Sequence, residues 1–375
     1  MKVFIVYASA GSGHFKAAEA AYNYLKQENC NLELKLVDVL DNTSFLFRNI
    51  YSYGYKFLVS YAPWIWALGF YITYIKPLRP VIKCLNFIIT RLSTAKFARL
   101  LIDENPDFII STHFLPSEIS SYLKRTRKIK SRLVTVITDF AVHPFWITKG
   151  SDIYVVALDF TKKQLIQEGV KEEDIKVLGI PIDQKFLREY ELEALCAKFG
   201  LDQNKFTLLI TTGSFAIGPI EPIVDLLYKD TQILVVCAKN KRLYKRLKHK
   251  NYPNVKFFGY IDNIQELMAV SDIVITKPGG LTISESLIRE LLPIFIAAIP
   301  GQETANAKIL ESYGIGLIVR RAEDIKDKVL DYITHPDKLN RAKENIKRVR
   351  KPNVLREICN VICLGSAGDT RRGSF

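Results

Sequence analysis

His14 follows Gly11 and Gly13 in the stretch YASAGSGHFKAAEAAYNYL (residues 7–25). A neutral imidazole can take a proton from a hydroxyl near pH 7. Glycines at a strand-to-helix turn let a phosphate approach free backbone N–H groups, and a helix N-terminus disfavours imidazolium. Asp139 and His143 in TDFAVHPFW close another strand-like run, so they are expected near His14, orienting it or an acceptor. His113 in STHF closes a third run; a packed core position is expected for it, with cleft lining as the alternative. His249 and His335 stand in basic, polar stretches and are expected at the solvated surface.

A second constellation lies in SDIVITKPGGLTISESLIRELLPIFIAAIPGQETANAKIL (residues 271–310). Gly279 and Gly280, followed by Leu281 and Thr282, open backbone N–H groups toward a diphosphate, and Glu285 can accept hydrogen bonds from ribose hydroxyls. Gln302 and Glu303 offer acceptors for sugar hydroxyls, with Asn306 beside them. The Lys277 ammonium would offset charge on a leaving diphosphate. In TTGSFAIG (residues 211–218), Gly213, Ser214 and Gly218 are expected to hold that diphosphate from the opposite side.

These residues need elements to position them. KVFIVY before His14 and KFTLLI before TTGS are apolar runs, each followed by a Gly/Ser turn and a helical pattern, about two hundred residues apart. Further buried-strand runs alternate with helical segments in both halves. The fold class is therefore α/β, with two Rossmann-like, doubly wound domains. VLGIPIDQKF (residues 177–186) marks the hinge. The expected domains are 1–180, 181–350 and a basic tail, 351–375, helical to Arg356 and disordered over GSAGDTRRGSF. A dinucleotide-binding oxidoreductase is the runner-up, because Asp38 ends the second strand as a ribose-binding acid would; Lys16 stands where its third glycine should be.

The chain has 375 residues, 48% apolar and 25% charged, enough for two folded domains. A net charge of +14 suits nucleic acid, an anionic membrane or an anionic small substrate. No aromatic-basic RNA motif appears, so a nucleic-acid partner is not expected. The six cysteines lack metal-ligand spacing apart from a Cys-x3-Cys near the end, Cys359 and Cys363, and they read as reduced cytosolic thiols. The first strand begins at Lys2, which leaves no room for a signal peptide.

Residues 45–101 contain no Asp or Glu, and FLVSYAPWIWALGFYITYI (residues 57–75) is long enough to span a bilayer. A span would split one sheet across the membrane. Interfacial docking, with Trp64 and Trp66 at headgroup depth and basic residues on anionic phospholipid, is expected instead; an apolar helix pair packed on the domain is the alternative.

ASAGSGHFKAAEA, STHF, VITDFAVHPFW, GIPID and KPGGLTISES with PGQETAN resemble the lipid glycosyltransferases of family 28, which include monogalactosyldiacylglycerol synthases and processive diacylglycerol glucosyltransferases. The resemblance runs from residue 3 to about 350. It implies a GT-B fold: two Rossmann-like domains facing a central cleft, acceptor on the first and UDP-sugar on the second. It also implies inverting transfer of galactose or glucose from UDP-galactose or UDP-glucose to diacylglycerol at the cytoplasmic membrane face, with no metal and no cofactor. The resemblance implies that His14, at the motif position of the family's histidine, is the catalytic base. A polyprenyl-linked or already glycosylated lipid is the alternative acceptor. The chain departs from the family in having fewer glycines in SAGSG and in TTGSFAIG, where Phe215 stands.

Overall fold

KVFIVY forms strand β1 (Lys2–Tyr7), whose alternation sends Val3 and Ile5 into one apolar layer and Phe4 and Val6 into another. All four are fully buried, as a parallel sheet covered on both faces requires. The computed structural model describes residues 1–9, 11–28 and 31–369. It divides into two compact units, Met1–Gln184 with Pro300–Gln302 and Lys351–Phe375, and Lys185–Ile299 with Glu303–Arg350.

In the first unit β1 is followed by α1 (Ser12–Gln27), β2 (Glu33–Asp38), α2 (Phe45–Tyr61), α3 (Pro63–Ile72), α4 (Arg79–Ser93) and α5 (Ala95–Glu104). Then come β3 (Phe108–Ser111), α6 (Phe114–Arg125), β4 (Arg132–Val136), β5 (Ile153–Val156), α7 (Asp159–Gln167) and β6 (Ile175–Val177). The strands are parallel in the order β2-β1-β3-β4-β5-β6. The direction of winding reverses between β1 and β3, and ligands bind at such a switch point, beyond the strand C-termini.

The second unit holds α8 (Leu192–Phe199), β7 (Thr207–Thr211), α9 (Ile220–Leu227), β8 (Gln232–Val236), α10 (Lys241–Lys248), β9 (Val255–Phe258), α11 (Ile264–Ala269) and β10 (Ile273–Thr276). It continues with α12 (Gly280–Ile288), β11 (Leu292–Phe295), α13 (Gln302–Ser312), β12 (Leu317–Ile318), α14 (Asp324–Thr334) and α15 (Pro336–Val349). Its parallel order, β12-β11-β10-β7-β8-β9, puts the switch point between β7 and β10. Both expected doubly wound domains are present.

The C-terminal segment differs from the expected tail. Helix α16 (Val354–Asp369) returns to the first unit, where Val354, Leu355, Ile358 and Ile362 join Val3, Ile5, Ala18 and Ala21 in one core layer. Its apolar residues recur at helical spacing and bury one stripe from Val354 to Ile362, and the helix runs on to Asp369; residues 370–375 lie outside the described residues. Gly179 makes room for this return. Its φ of +101° favours glycine, and a Cβ there would stand 2.7 Å from Lys351 Cβ.

The apolar stretch 57–75 is not one helix. Pro63 lacks an N–H, and the chain breaks at Ala62 (φ −137°, ψ 55°), leaving α3 only ten residues long. At 1.5 Å per residue that is about 15 Å, half of a hydrocarbon core. No helix among the described residues is long and apolar enough to cross a membrane.

Helix α4 presents an apolar stripe to the outside. Val81, Leu85, Ile88, Ile89 and Leu92 face outward, with Leu92 76% exposed. Its inward face carries Lys83, bonded to the Ile147 carbonyl, and Asn86, bonded to Glu118 on α6. Burial lowers the Lys83 pKa and pushes the Glu118 carboxyl up to about 7.

Candidate active site

The loops after β1, β3 and β4 meet at the first switch point because those strands are neighbours. Their C-terminal residues Val6 and Ser111 are paired across β1 and β3, and Ser111 and Thr135 across β3 and β4. His14 lies in the first turn of α1, whose N-cap Gly11 has extended backbone and no side-chain cap. Nothing stands within 4 Å of a Cβ built on Gly11, so this turn is open to a ligand.

His14 Nδ1 lies 2.9 Å from the Thr112 carbonyl oxygen and 2.8 Å from Thr138 Oγ1. A carbonyl only accepts, so Nδ1 carries the proton and donates it, and Nε2 is left with a lone pair. The Thr112 hydroxyl donates in turn to the His14 carbonyl at 2.9 Å, fixing backbone and ring together. Burial lowers the His14 pKa, against the opposing pull of the Asp139 carboxylate and the Thr112 carbonyl. The ring is therefore a neutral base at pH 7. Buried Asp139 is placed to stabilise the imidazolium that forms when Nε2 takes a proton.

His113 is 2% exposed, and its Nδ1 accepts from the Leu115 N–H at the start of α6. Its ring meets His14 edge-on at 4.5 Å between centroids, and burial together with His14 holds its pKa well below the usual value. Trp146 lies 6.3 Å from both rings. His113 is thus a packed core histidine that also walls the His14 site.

His143 is turned away from His14. Its Nδ1 accepts from Phe145 N–H, so Nε2 carries the proton and donates to Thr73 Oγ1 at 2.8 Å; Thr73 donates to the Phe70 carbonyl. Phe70 and Tyr74 flank the ring at 4.7 and 5.5 Å, and burial lowers its pKa to about 3. Both nitrogens are engaged, so His143 anchors the end of α3 to the loop that carries Asp139.

In the second unit the loop after β7 contains Gly213 (φ +78°) and Gly218 (φ +138°). A Cβ on Gly218 would also press on Ala297 Cβ at 3.3 Å. Ser214 turns its carbonyl to the Lys239 N–H, and Phe215 is half exposed. Thr212, 4% exposed, has a buried hydroxyl without a hydrogen-bond partner among the described residues, a donor at the switch point that the sequence reading missed.

The loop after β10 runs Lys277-Pro278-Gly279 into α12. Gly279 is the N-cap, again without a side-chain cap and with open space around it; Gly280 is buried, Leu281 and Thr282 half-buried. Glu285 is half-buried one turn further on. The tertiary structure joins KPGG to PGQETAN: Lys277 Nζ lies 3.7 Å from Glu303 Oε2, and fully buried Asn306 donates to the Pro278 carbonyl at 3.2 Å. Glu303 also accepts from the Ile299 N–H at 2.7 Å. Asn306 therefore shapes the turn, while Gln302 opens α13. Among the described residues no group of three metal-ligating side chains is assembled.

Residues 14–182 match the monogalactosyldiacylglycerol synthase family, and residues 207–358 the glycosyltransferase family 28 C-terminal domain. The processive diacylglycerol beta-glucosyltransferase of Bacillus pumilus is 31% identical over 363 residues, covering 92% of this chain and 90% of that protein. Its Bacillus subtilis counterpart is 30% identical over 370 residues, covering 94% and 92%. The chain is a family 28 glycosyltransferase.

Its GT-B fold is shared with Acinetobacter baumannii MurG (TM-score 0.60, 13% identity, 96% of this chain and 99% of that one). It is also shared with the Neisseria meningitidis UDP-GlcNAc 2-epimerase solved with UDP-GlcNAc (TM-score 0.63, 14% identity, 97% and 100%). In this glycosyltransferase the oxidoreductase reading fails at Asp38. Its Oδ1 accepts from the Leu40 and Ser9 N–H groups and so closes a turn.

Proposed function

We propose that the protein transfers a hexose from a UDP-sugar to diacylglycerol with inversion, the first unit taking the acceptor and the second the donor. The observation that carries this reading is the free Nε2 of His14, set by the Nδ1–H bond to Thr112 beside buried Asp139. Nε2 takes the proton of the acceptor hydroxyl as its oxygen attacks the anomeric carbon; the glycosidic bond forms, the bond to UDP breaks, and UDP leaves with the electron pair. Attack from the face opposite the leaving group inverts that carbon. Gly213, Gly218, Gly279 and the Thr212 hydroxyl cradle the diphosphate, Lys277 offsets its charge, and Glu285 holds the ribose. The name of the relatives favours glucose as the sugar.

The outward stripe of α4 and the exposed Trp64, Leu68 and Tyr71 of α3 dock on a membrane surface, where the acceptor resides. An apolar stripe facing out has its favourable environment in lipid. The test is transfer by the purified protein to diacylglycerol in mixed micelles, with labelled UDP-glucose and UDP-galactose in parallel and His14→Ala as control. A labelled glycolipid from one donor, absent with the variant, is expected. UDP release without a labelled lipid would overturn the acceptor, and no consumption of either donor would overturn the reading as a whole.

A further inference from the structure

Strand β9 is an outer strand of the second unit's sheet, paired only with β8. The carbonyls of Asn254 and Phe258 accept from the Ile233 and Cys237 N–H groups at 2.9 and 2.8 Å, so positions 254, 256 and 258 turn their backbone toward β8. Val255 and Phe257 therefore turn theirs outward. The Val255 N–H bonds the Tyr252 carbonyl in the turn that enters the strand. The Val255 carbonyl and both backbone polar groups of Phe257 are left facing away from the sheet, with no partner among the described residues. Such an edge is a template for another extended chain. The opposite edge of the sheet, β12, is only two residues long.

The same edge lines a groove of about 390 Å³. Alternation along β9 puts Lys256 and Phe258 on one face, with Phe258 edge-on to Phe199 of α8 at 5.9 Å between centroids. Phe257 lies on the other face, 6.0 Å from Tyr252. Each face of an added strand would thus meet an aromatic pair. The groove is also cationic: Lys198, Lys248, Lys250 and Lys256 line it, and among the described residues no carboxylate does. Lys198 and Lys250 are held by Glu266 and Glu221. Lys248 and Lys256 have no acidic partner within ion-pair distance among the described residues. The groove opens beside the turn that enters β9, whereas the loops with Gly213 and Gly279 leave the C-terminal ends of β7 and β10, so it is separate from the candidate donor site.

We propose that the β9 edge binds an extended acidic segment of a partner protein, which adds to the sheet as a further strand. Outward N–H and C=O groups are matched by another backbone, which a small anion does not supply, and the lysines are matched by carboxylates along it. A second copy of this chain fits less well, because β9 laid against β9 would bring the unpaired lysines of both copies together.

The test is fluorescence anisotropy of a labelled peptide of alternating glutamate and valine, titrated with the full chain. Saturable binding is expected, at least about tenfold weaker once the peptide's backbone nitrogens are methylated and can no longer donate to the edge. Lys248→Gln/Lys256→Gln changes two exposed side chains and should weaken binding about fivefold. Phe257→Pro removes an outward N–H without touching the ladder to β8, so it should abolish binding while melting temperature and UDP affinity stay unaltered. Equal affinity for the methylated peptide would reduce the contact to charge and overturn strand addition. Equal affinity for a peptide of alternating serine and valine would overturn the acidic partner. A dimer of the free chain that Phe257→Pro disperses would assign the edge to a second copy instead. No binding at about 1 mM peptide would overturn the proposal and leave the lysines as guards against edge pairing.

Discussion

At the first switch point the loops after β1, β3 and β4 gather His14, His113, Asp139 and Trp146; at the second, the loops after β7, β10 and β11 gather glycines, Thr212, Lys277 and Glu303. On the proposed function, the same architecture carries a proton-transfer site in one sheet and an anion cradle in the other. The difference lies in the backbone. The second site needs bare N–H groups, so it uses φ of +78° and +138° at Gly213 and Gly218. The first needs a ring held in one tautomer, so it uses a buried carbonyl and two threonine hydroxyls.

The division breaks most sharply at His14. His14→Ala should lower kcat by about 10³-fold, within the range of lost general-base catalysis, while UDP affinity stays within about twofold. Isothermal titration with UDP checks the second half; a large loss of UDP affinity would make His14 part of the anion cradle.

Acid should separate the two units next. His113 and His143 are held neutral by burial, with folded pKa values below the ordinary 6.5, whereas His249 and His335 of the second unit are exposed. As pH falls below about 6.5 the unfolded chain binds protons that the folded first unit refuses, so stability falls with falling pH. The slope approaches about 1.4 kcal/mol per pH unit for each of these two histidines. The Glu118 carboxyl of the same unit, pushed up to about 7, takes up a proton in the folded state and offsets about one of them, so the net loss is roughly that of a single histidine. Hydrogen exchange at pH 7.5 and 5.5 should show protection lost in β1, β3 and β4 before β7, β8 and β10. Equal loss in both sheets would contradict the assignment.

Lys277→Met should lower kcat by about 100-fold, the scale of one lost electrostatic contact to a leaving group, with little change in the acceptor KM. A rise in acceptor KM instead would move Lys277 out of the donor site. The smallest expected effect is that of Thr138→Val, about tenfold in kcat, because Thr138 shares the Nδ1–H bond with the Thr112 carbonyl. That bond favours the charged ring, so its loss should also move the acid limb of the pH–rate profile to lower pH. An unmoved limb would leave Thr138 with a packing role only.

Much of this was legible before any coordinates. The buried runs, the glycine turns, the place of His14 at a helix start and the KPGG and PGQETAN segments are local patterns, and local sterics and burial produce them directly. Three features were not. His143 reads like a partner of His14, yet Thr73, seventy positions earlier, takes its Nε2 proton. Asn306 reads as a donor-site residue beside Gln302 and Glu303, yet it is buried against the Pro278 carbonyl. The segment after residue 351 reads like a tail, yet its apolar stripe completes the core beside α1. Thr112 and Thr138 were also missed, although each adjoins a motif histidine or aspartate at a strand end.

The sequence by itself determined the two α/β halves, the family and the residues able to move a proton or cradle a diphosphate, because each follows from side-chain chemistry and short-range periodicity. Only the tertiary structure decided which nitrogen of His14 keeps its lone pair, which histidines are occupied and which face of α4 points outward. Those depend on strand order, which sets carbonyls, hydroxyls and rings from distant segments within 3 to 5 Å of one another.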